Sequence, residues 1–362
     1  MSRKRVYVAY TGGTIGMRPT ADGYAPAPGY LEEVMAAEQR LHAPDMPAFV
    51  IREYDPLLDS ADMTPAHWRA IARDIEANYR DYDGFVVLHG TDTMAYTASA
   101  LPFILQGLAK PVIVTGAQIP VCEARSDGRA NLITALQLAA NYPIAEVCIY
   151  FRDVLLRGCR ATKIDADGLQ AFGSPNYPPL GTAGVDIEID WVRVLPTPPA
   201  GTRLAVHELV PPRVAALRLF PGISAEILRN VLQAPLQGLV LQSYGRGNGP
   251  SQDPELLRAL REATDRGVVV VATSQCVRGT INLRDYVPGS ALADAGVISG
   301  YDMTDEAALA KLCYLLSCDL APAELRRRLR TSLRGELTRP RGRRRRRRGP
   351  APARAEARPA EA

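Results

Sequence analysis

Seven continuous apolar runs of strand length punctuate the chain: VYVAY (6–10), FVVLH (85–89), PVIVTG (111–116), EVCIY (146–150), VAALRLF (214–220), GLVLQSY (238–244) and GVVVVATS (267–274). Their apolar positions are consecutive rather than alternating, which is how strands covered on both faces read. Between them lie stretches with helical spacing. The clearest are TPAHWRAIARDIEANY (64–79), with Thr64 as N-cap and Pro65 at the first helical position, and TDEAALAKLCYLLS (304–317), with two acids in its first turn. This alternation predicts an α/β fold with mostly parallel sheets. The segment LPTPPAGTRLAVHELVPPR (195–213) holds five prolines and breaks the rhythm. It reads as a linker between an N-terminal α/β domain over 1–194 and a C-terminal α/β domain over 214–338.

Composition sharpens this picture at the ends. With 362 residues, 47% apolar and 23% charged, the chain is an ordinary globular one, too long for a single core of about 250 residues. Its net charge of +4 is unevenly spread: residues 339–362 carry ten arginines and two glutamates, a balance of +8, leaving −4 on the rest. That Arg/Pro/Ala-rich tail cannot repay the entropy of ordering and is expected to be disordered. Its six consecutive arginines (343–348) could hold nucleic acid only non-specifically; the tail reads as a solvated terminus whose removal leaves catalysis intact. The N-terminus enters a strand without a leader-like apolar run, and no stretch is long enough to span a bilayer, so the expected location is cytoplasmic, with no membrane partner. Six scattered cysteines without CxxC pairs read as reduced thiols in or near the core, with no metal.

The chemistry concentrates where strands end. In AYTGGTIGM (9–17) an apolar strand runs into glycines, yet neither GxxxxGK nor GxGxxG is satisfied. What remains is a turn at the carboxyl end of the first strand, where ligands bind in open α/β sheets. It either presents Thr14 to a ligand or uses Thr14 as a helix N-cap. GFVVLHGTDTMAYTA (84–98) repeats the layout, so Thr91 and Asp92 should converge with Thr14, whereas His89, beside Gly90, reads as structural. EYDPLLDSADMTP (53–65) offers Asp59 and Ser60, either as binders of an ammonium and a carboxylate or as turn and cap residues. GCRATKIDADG (158–168) supplies Lys163, which desolvation could turn into a base for a threonine hydroxyl.

TGGTIG and GFVVLHGTDTM resemble the two signature segments of the bacterial L-asparaginases. DSADMTP, VTGAQIP (114–120), RSDGRANL (125–132), ATKIDADG (161–168), QSYGRGNGP (242–250) and SQC (274–276) are similar to the cytoplasmic type I branch, in order and at matching spacing from about Val6 to Leu337. The resemblance implies a two-domain asparaginase-like fold: a larger N-terminal domain with a flavodoxin-like, mostly parallel sheet and a smaller C-terminal α/β domain. It implies hydrolysis of L-asparagine to L-aspartate and ammonia without cofactor or metal. Carried over residue by residue, Thr14 is the nucleophile and Tyr24 its partner, while Thr91, Asp92 and Lys163 form a second triad. Asp59 and Ser60 hold the substrate's amino and carboxylate groups, Asp92 shares the ammonium, and Ala117 lies near the side-chain amide through its backbone. Thr91, with Lys163 beside it, has the better built-in base, so the residues alone leave the attacking threonine open.

Tyr24 lies in MRPTADGYAPAPGY (17–30), whose prolines, glycines and few apolar anchors give it the composition of a lid. Type I enzymes are homodimers or homotetramers, some with a second, activating asparagine site; Thr162 and Cys276 stand where that allosteric site's residues would be. Gln242 takes the place of an expected arginine there, and losing a bidentate clamp should reduce or abolish substrate activation. Two other readings are carried. One is the asparaginase-like subunit of a tRNA-dependent amidotransferase acting on glutamine, which has an additional domain before TGGT where this strand begins at Val6. The other is a non-catalytic amino-acid-binding protein, against which the intact set of Thr14, Thr91, Asp92 and Lys163 speaks.

Overall fold

The protein is described here by a computed structural model covering residues 3–210 and 212–339. All seven apolar runs form strands, and their continuous hydrophobicity has a direct cause. Along the first strand (Arg5–Gly12), Val6, Val8 and Tyr10 enter one core and Tyr7 and Ala9 the other, so no position meets water. The N-terminal sheet has eight strands. In spatial order they are 187–189, 181–183, 154–157, 147–151, 112–115, 84–88, 5–12 and 48–58. The last five in this list run parallel and the first three join antiparallel. The helix Gly128–Asn141 covers one face; Pro65–Asn78 and Met94–Ile104 cover the other.

The second sheet has four parallel strands in chain order: Val214–Arg218, Gly238–Ser243, Val269–Ser274 and Ile298–Ser299. One face carries its own core around Leu239, Leu241, Leu256 and Leu260. On the other, Val240, Val271 and the helix Asp305–Leu316 join the same apolar cluster as the N-terminal strands. The helix Met94–Ile104 lies between the N-terminal sheet and Asp305–Leu316, which is why ten of its eleven residues are buried. Burial from both sides at about 25 cal/mol per Å2 makes this the strongest tie between the two units.

The proline-rich stretch is no free tether: Ala205–Val206 pairs antiparallel with Leu105–Gln106, and Leu209 is buried. The chain after the last helix also returns to the N-terminal unit. Lys311 and Glu336 form a fully buried ion pair at 2.6 Å, and Arg160 donates to the carbonyl of Gly335 at 2.6 Å. The expectation for the cysteines needs correction. Cys148, Cys159 and Cys313 are buried and Cys318 half-buried, but Cys122 and Cys276 are exposed, because both sit in turns beyond strand ends; all six are free thiols. The arginine-rich tail from 340 onward, and its expected disorder and nucleic-acid contacts, lie outside the described residues.

Candidate active site

Four neighbouring parallel strands deliver the site from one sheet edge. The strand 5–12 ends at Thr14, 48–58 at Asp59 and Ser60, 84–88 at Thr91 and Asp92, and 112–115 at Ala117. Glycines let these ends close on one another. Gly13 holds φ +92°, and a methyl there would fall 2.4 Å from both the nitrogen and Cα of Gly90. A methyl on Gly90 would meet the Ser60 hydroxyl at 2.6 Å, and one on Gly116 the carbonyl of His89 at 2.3 Å. The two signature turns are therefore in backbone contact.

Thr14 opens a short 3-10 turn, Thr14–Gly16; Gly13, not Thr14, is its N-cap, and the Thr14 side chain makes no cap bond. Across the contact, the Lys163 ammonium donates to Thr91 Oγ1 at 3.0 Å and pairs with Asp92 Oδ1 at 2.6 Å. The Thr91 hydroxyl in turn donates to Gln118 Oε1 at 3.0 Å. The amide nitrogen of Gln118 is committed to the carbonyls of Ala166 and Gly168, at 3.3 and 3.2 Å, so its oxygen has to face Thr91. Thr91 is thus polarised: its proton points to Gln118 and its lone pair to Lys163.

Asp59 caps the 3-10 turn Ser60–Asp62 through Oδ1, which accepts from the Ala61 N–H at 2.9 Å. It serves as a turn residue while its second carboxylate oxygen has no partner among the described residues. Ser60 is buried, and its carbonyl accepts from the Thr93 hydroxyl at 2.6 Å. Ala117 is buried in a turn pinned by the RSDGRAN segment: Asp127 Oδ1 accepts from the N–H groups of Gln118 and Ile119 at 3.1 and 3.0 Å, and Asn131 donates to the carbonyl of Gly116 at 3.0 Å.

Tyr24 sits on a β-hairpin, Met17–Thr20 with Gly23–Pro26, rather than an irregular loop. The ring is 50% exposed and its hydroxyl donates to Glu123 Oε1 at 2.8 Å. That bond is the main reason its phenol is held above the usual tyrosine range. His89 is structural. Its Nδ1 lies 2.7 Å from the carbonyl of Gly90 and its Nε2 2.8 Å from Thr97 Oγ1, which accepts from the indole of Trp68 at 3.1 Å. Complete burial holds the imidazole down to about 4, hence neutral.

The three residues of the expected allosteric site fall elsewhere on the chain. Thr162 donates to Glu306 Oε1 at 2.6 Å, Gln242 donates to Asp305 Oδ2 at 2.7 Å, and Cys276 is exposed. Three participants were missed by sequence reasoning: Gln118, Glu123 and Glu306. Gln118 stands directly after Ala117 in VTGAQIP, and that adjacency was the available signal; nothing in the sequence links Glu123 to Tyr24 or Glu306 to Thr162. No group of three or more His, Cys, Asp or Glu among the described residues could hold a metal ion, and no helix among them is long and apolar enough to cross a membrane.

Comparison with known proteins decides the family. The model for "Asparaginase, N-terminal" matches residues 5–195, and that for "Glutaminase/Asparaginase C-terminal domain" matches 213–329. The chain belongs to the asparaginase family. It is 54% identical to L-asparaginase 1 of Escherichia coli (strain K12), over 93% of this chain and 99% of that protein. The crystal structure of L-asparaginase I from Vibrio cholerae superimposes with a TM-score of 0.85 at 53% identity, covering 93% of this chain and all of that one. A more distant asparaginase-family relative, a glutamyl-tRNA(Gln) amidotransferase subunit of Pyrococcus horikoshii, is 33% identical over 92% of this chain and 76% of that protein.

Proposed function

We propose that this chain hydrolyses L-asparagine to L-aspartate and ammonia, with Thr14 as nucleophile. The observation that carries the reading is the Thr91–Lys163–Asp92 network, at 3.0 and 2.6 Å, joined to the Thr14 turn through the Gly13–Gly90 contact. A threonine hydroxyl, a second hydroxyl, an ammonium and a carboxylate at one sheet edge suit acyl transfer from a small amino-acid amide. Similarity to proteins named L-asparaginase at 54% identity, against 33% for the amidotransferase relative, favours asparagine hydrolysis over the tRNA-dependent reaction.

In this mechanism Asp59 and Asp92 bind the substrate's ammonium, Ser60 its carboxylate, and the Ala117 backbone its side-chain amide. Thr14 Oγ adds to the amide carbon, and its proton passes through the Tyr24 phenol to the leaving nitrogen as the C–N bond breaks. Ammonia departs and an aspartyl ester remains on Thr14. Water then adds to the ester, its proton returns to Thr14 Oγ, and L-aspartate leaves. Backbone N–H groups of the Gly13 and Gly90 turns face the developing oxyanion, an interaction worth about 100-fold or more in rate per donor. The polarity of Thr91 supports Thr14 as the attacking residue: a hydroxyl that donates to Gln118 and accepts from Lys163 offers no proton to that lysine.

The hairpin closes in this account, moving Tyr24 from Glu123 to Thr14 and excluding water. The reading brings with it a cytoplasmic location and a homodimer or homotetramer. The exposed Val185, Trp191 and Val192 beside the edge strand Ile187–Ile189 support a second copy as neighbour, and light scattering gives the mass. Because Gln242 is engaged with Asp305, substrate activation through Thr162, Gln242 and Cys276 is weak or absent. Ammonia and aspartate release from L-asparagine, with L-glutamine in parallel, tests the function. Preferred turnover of asparagine supports it; preferred turnover of glutamine, or none of either, refutes it.

A further inference from the structure

The segment carrying Lys163 is held by carboxylates of the other domain. Arg160, three residues before Lys163, is a fully buried side chain whose Nη1 lies 3.0 Å from Asp302 Oδ2. Thr162, the residue before Lys163, donates to Glu306 Oε1 at 2.6 Å. Asp302 and Glu306 belong to one run, DMTDE (302–306), between the last strand of the second sheet and the helix Asp305–Leu316. Asp305, between them in sequence, turns inward and accepts from Thr273 Oγ1 at 2.6 Å and Gln242 Nε2 at 2.7 Å. A continuous path therefore runs from the second sheet through Asp305 and Glu306 to Thr162, and the next residue is Lys163.

Stability does not account for Glu306. It is buried, and desolvation pushes its carboxyl upward, with only hydroxyl and backbone partners in return and no cation. A buried carboxylate so placed costs more than an apolar side chain of the same size. What it contributes is a fixed acceptor for Thr162. Lys163 reaches two acceptors at once, and a displacement of its backbone by about 1 Å would break hydrogen bonds of this length and cost on the order of 100-fold in rate.

We propose that Asp302 and Glu306 are positioning residues that place Lys163 against Thr91 and Asp92, so that the second domain sets the geometry of the first domain's charge network. The proposal rests on the reading of Lys163 as part of the catalytic site, and the test separates the two. In the full chain, Thr162→Val and Glu306→Ala should lower kcat at least tenfold with KM for L-asparagine within threefold of the parent. Glu306→Gln keeps the acceptor oxygen and should stay within threefold in kcat. In a Lys163→Ala background, whose residual rate is read at high enzyme concentration, adding Thr162→Val should change kcat by less than twofold. If Glu306→Ala does not fold, Thr162→Val, which exchanges one oxygen for a methyl, carries the same test. Unchanged kcat with only a lowered Tm, or losses that multiply with Lys163→Ala, would overturn the proposal while leaving Lys163 catalytic. An undiminished kcat in Lys163→Ala alone would overturn the reading of Lys163, and the proposal with it.

Discussion

Gly13 and Gly90 meet backbone to backbone, so closely that a methyl on Gly13 would stand 2.4 Å from Cα of Gly90. This contact brings the two threonine-bearing turns into one site, and it leaves no slack. Gly13→Ala has to shift backbone rather than a flexible side chain, at a residue with φ +92° where an L side chain is already strained. We expect a loss of at least 100-fold in kcat/KM and about 1–3 kcal/mol in stability. Steady-state kinetics and urea unfolding read both. Gly23→Ala makes a control, because its Cβ would meet nothing within 4 Å.

The same contact shows what was legible in advance. The seven interior strands were readable because burial on both faces demands unbroken apolar runs, and the turns because their glycines and hydroxyls follow such runs at once. The edge strand Ala48–Leu58 was visible only as a strand-like run before Asp59, since its positions are mostly half-exposed. The short strands at 154–157, 181–183 and 187–189 carry too few apolar residues to stand out. The segment 17–30 has the composition of a lid; its hairpin pairing depends on a turn at Ala21–Asp22 that few apolar positions announce. Gln118, Glu123 and Glu306 act through contacts across 27 to 144 positions of sequence, and no local pattern encodes such a pairing.

Tyr24 is a proton relay in this account, and its resting partner is Glu123. Tyr24→Phe should lower kcat by roughly 100-fold or more while moving KM less than about fivefold, since the phenol acts in the transition state rather than in binding. Glu123→Gln should leave kcat within about tenfold of the parent. A Tyr24→Phe enzyme that loses KM rather than kcat would place the tyrosine in binding instead.

Gln242 bears on regulation. With its amide donating to Asp305 at 2.7 Å, and no guanidinium to clamp a second substrate carboxylate, the rate of ammonia release should follow a hyperbola in L-asparagine. Initial rates over a wide concentration range give the Hill coefficient. A value near 1 is expected, and a strongly sigmoidal curve would show that the amide suffices for activation.

His89 makes stability depend on pH. Its folded-state value is held down to about 4 by burial against an ordinary 6.5, so the unfolded chain binds the extra proton between these two values. Stability is therefore full above about pH 6.5 and falls as the pH drops toward 4, by about 3 kcal/mol for a shift of this size. Urea unfolding at a series of pH values measures the slope. His89→Gln should be less stable at neutral pH, because it disturbs the Trp68–Thr97–His89 chain, but should lack this part of the acid dependence.

The central claim is that Thr14 attacks the substrate's side-chain amide. Rapid acid quenching during turnover of a slow asparagine analogue, followed by peptide mass spectrometry, locates the ester formed. The account predicts an aspartyl adduct on the peptide containing Thr14 and its loss in Thr14→Ala. An adduct on Thr91, retained in Thr14→Ala, would contradict it.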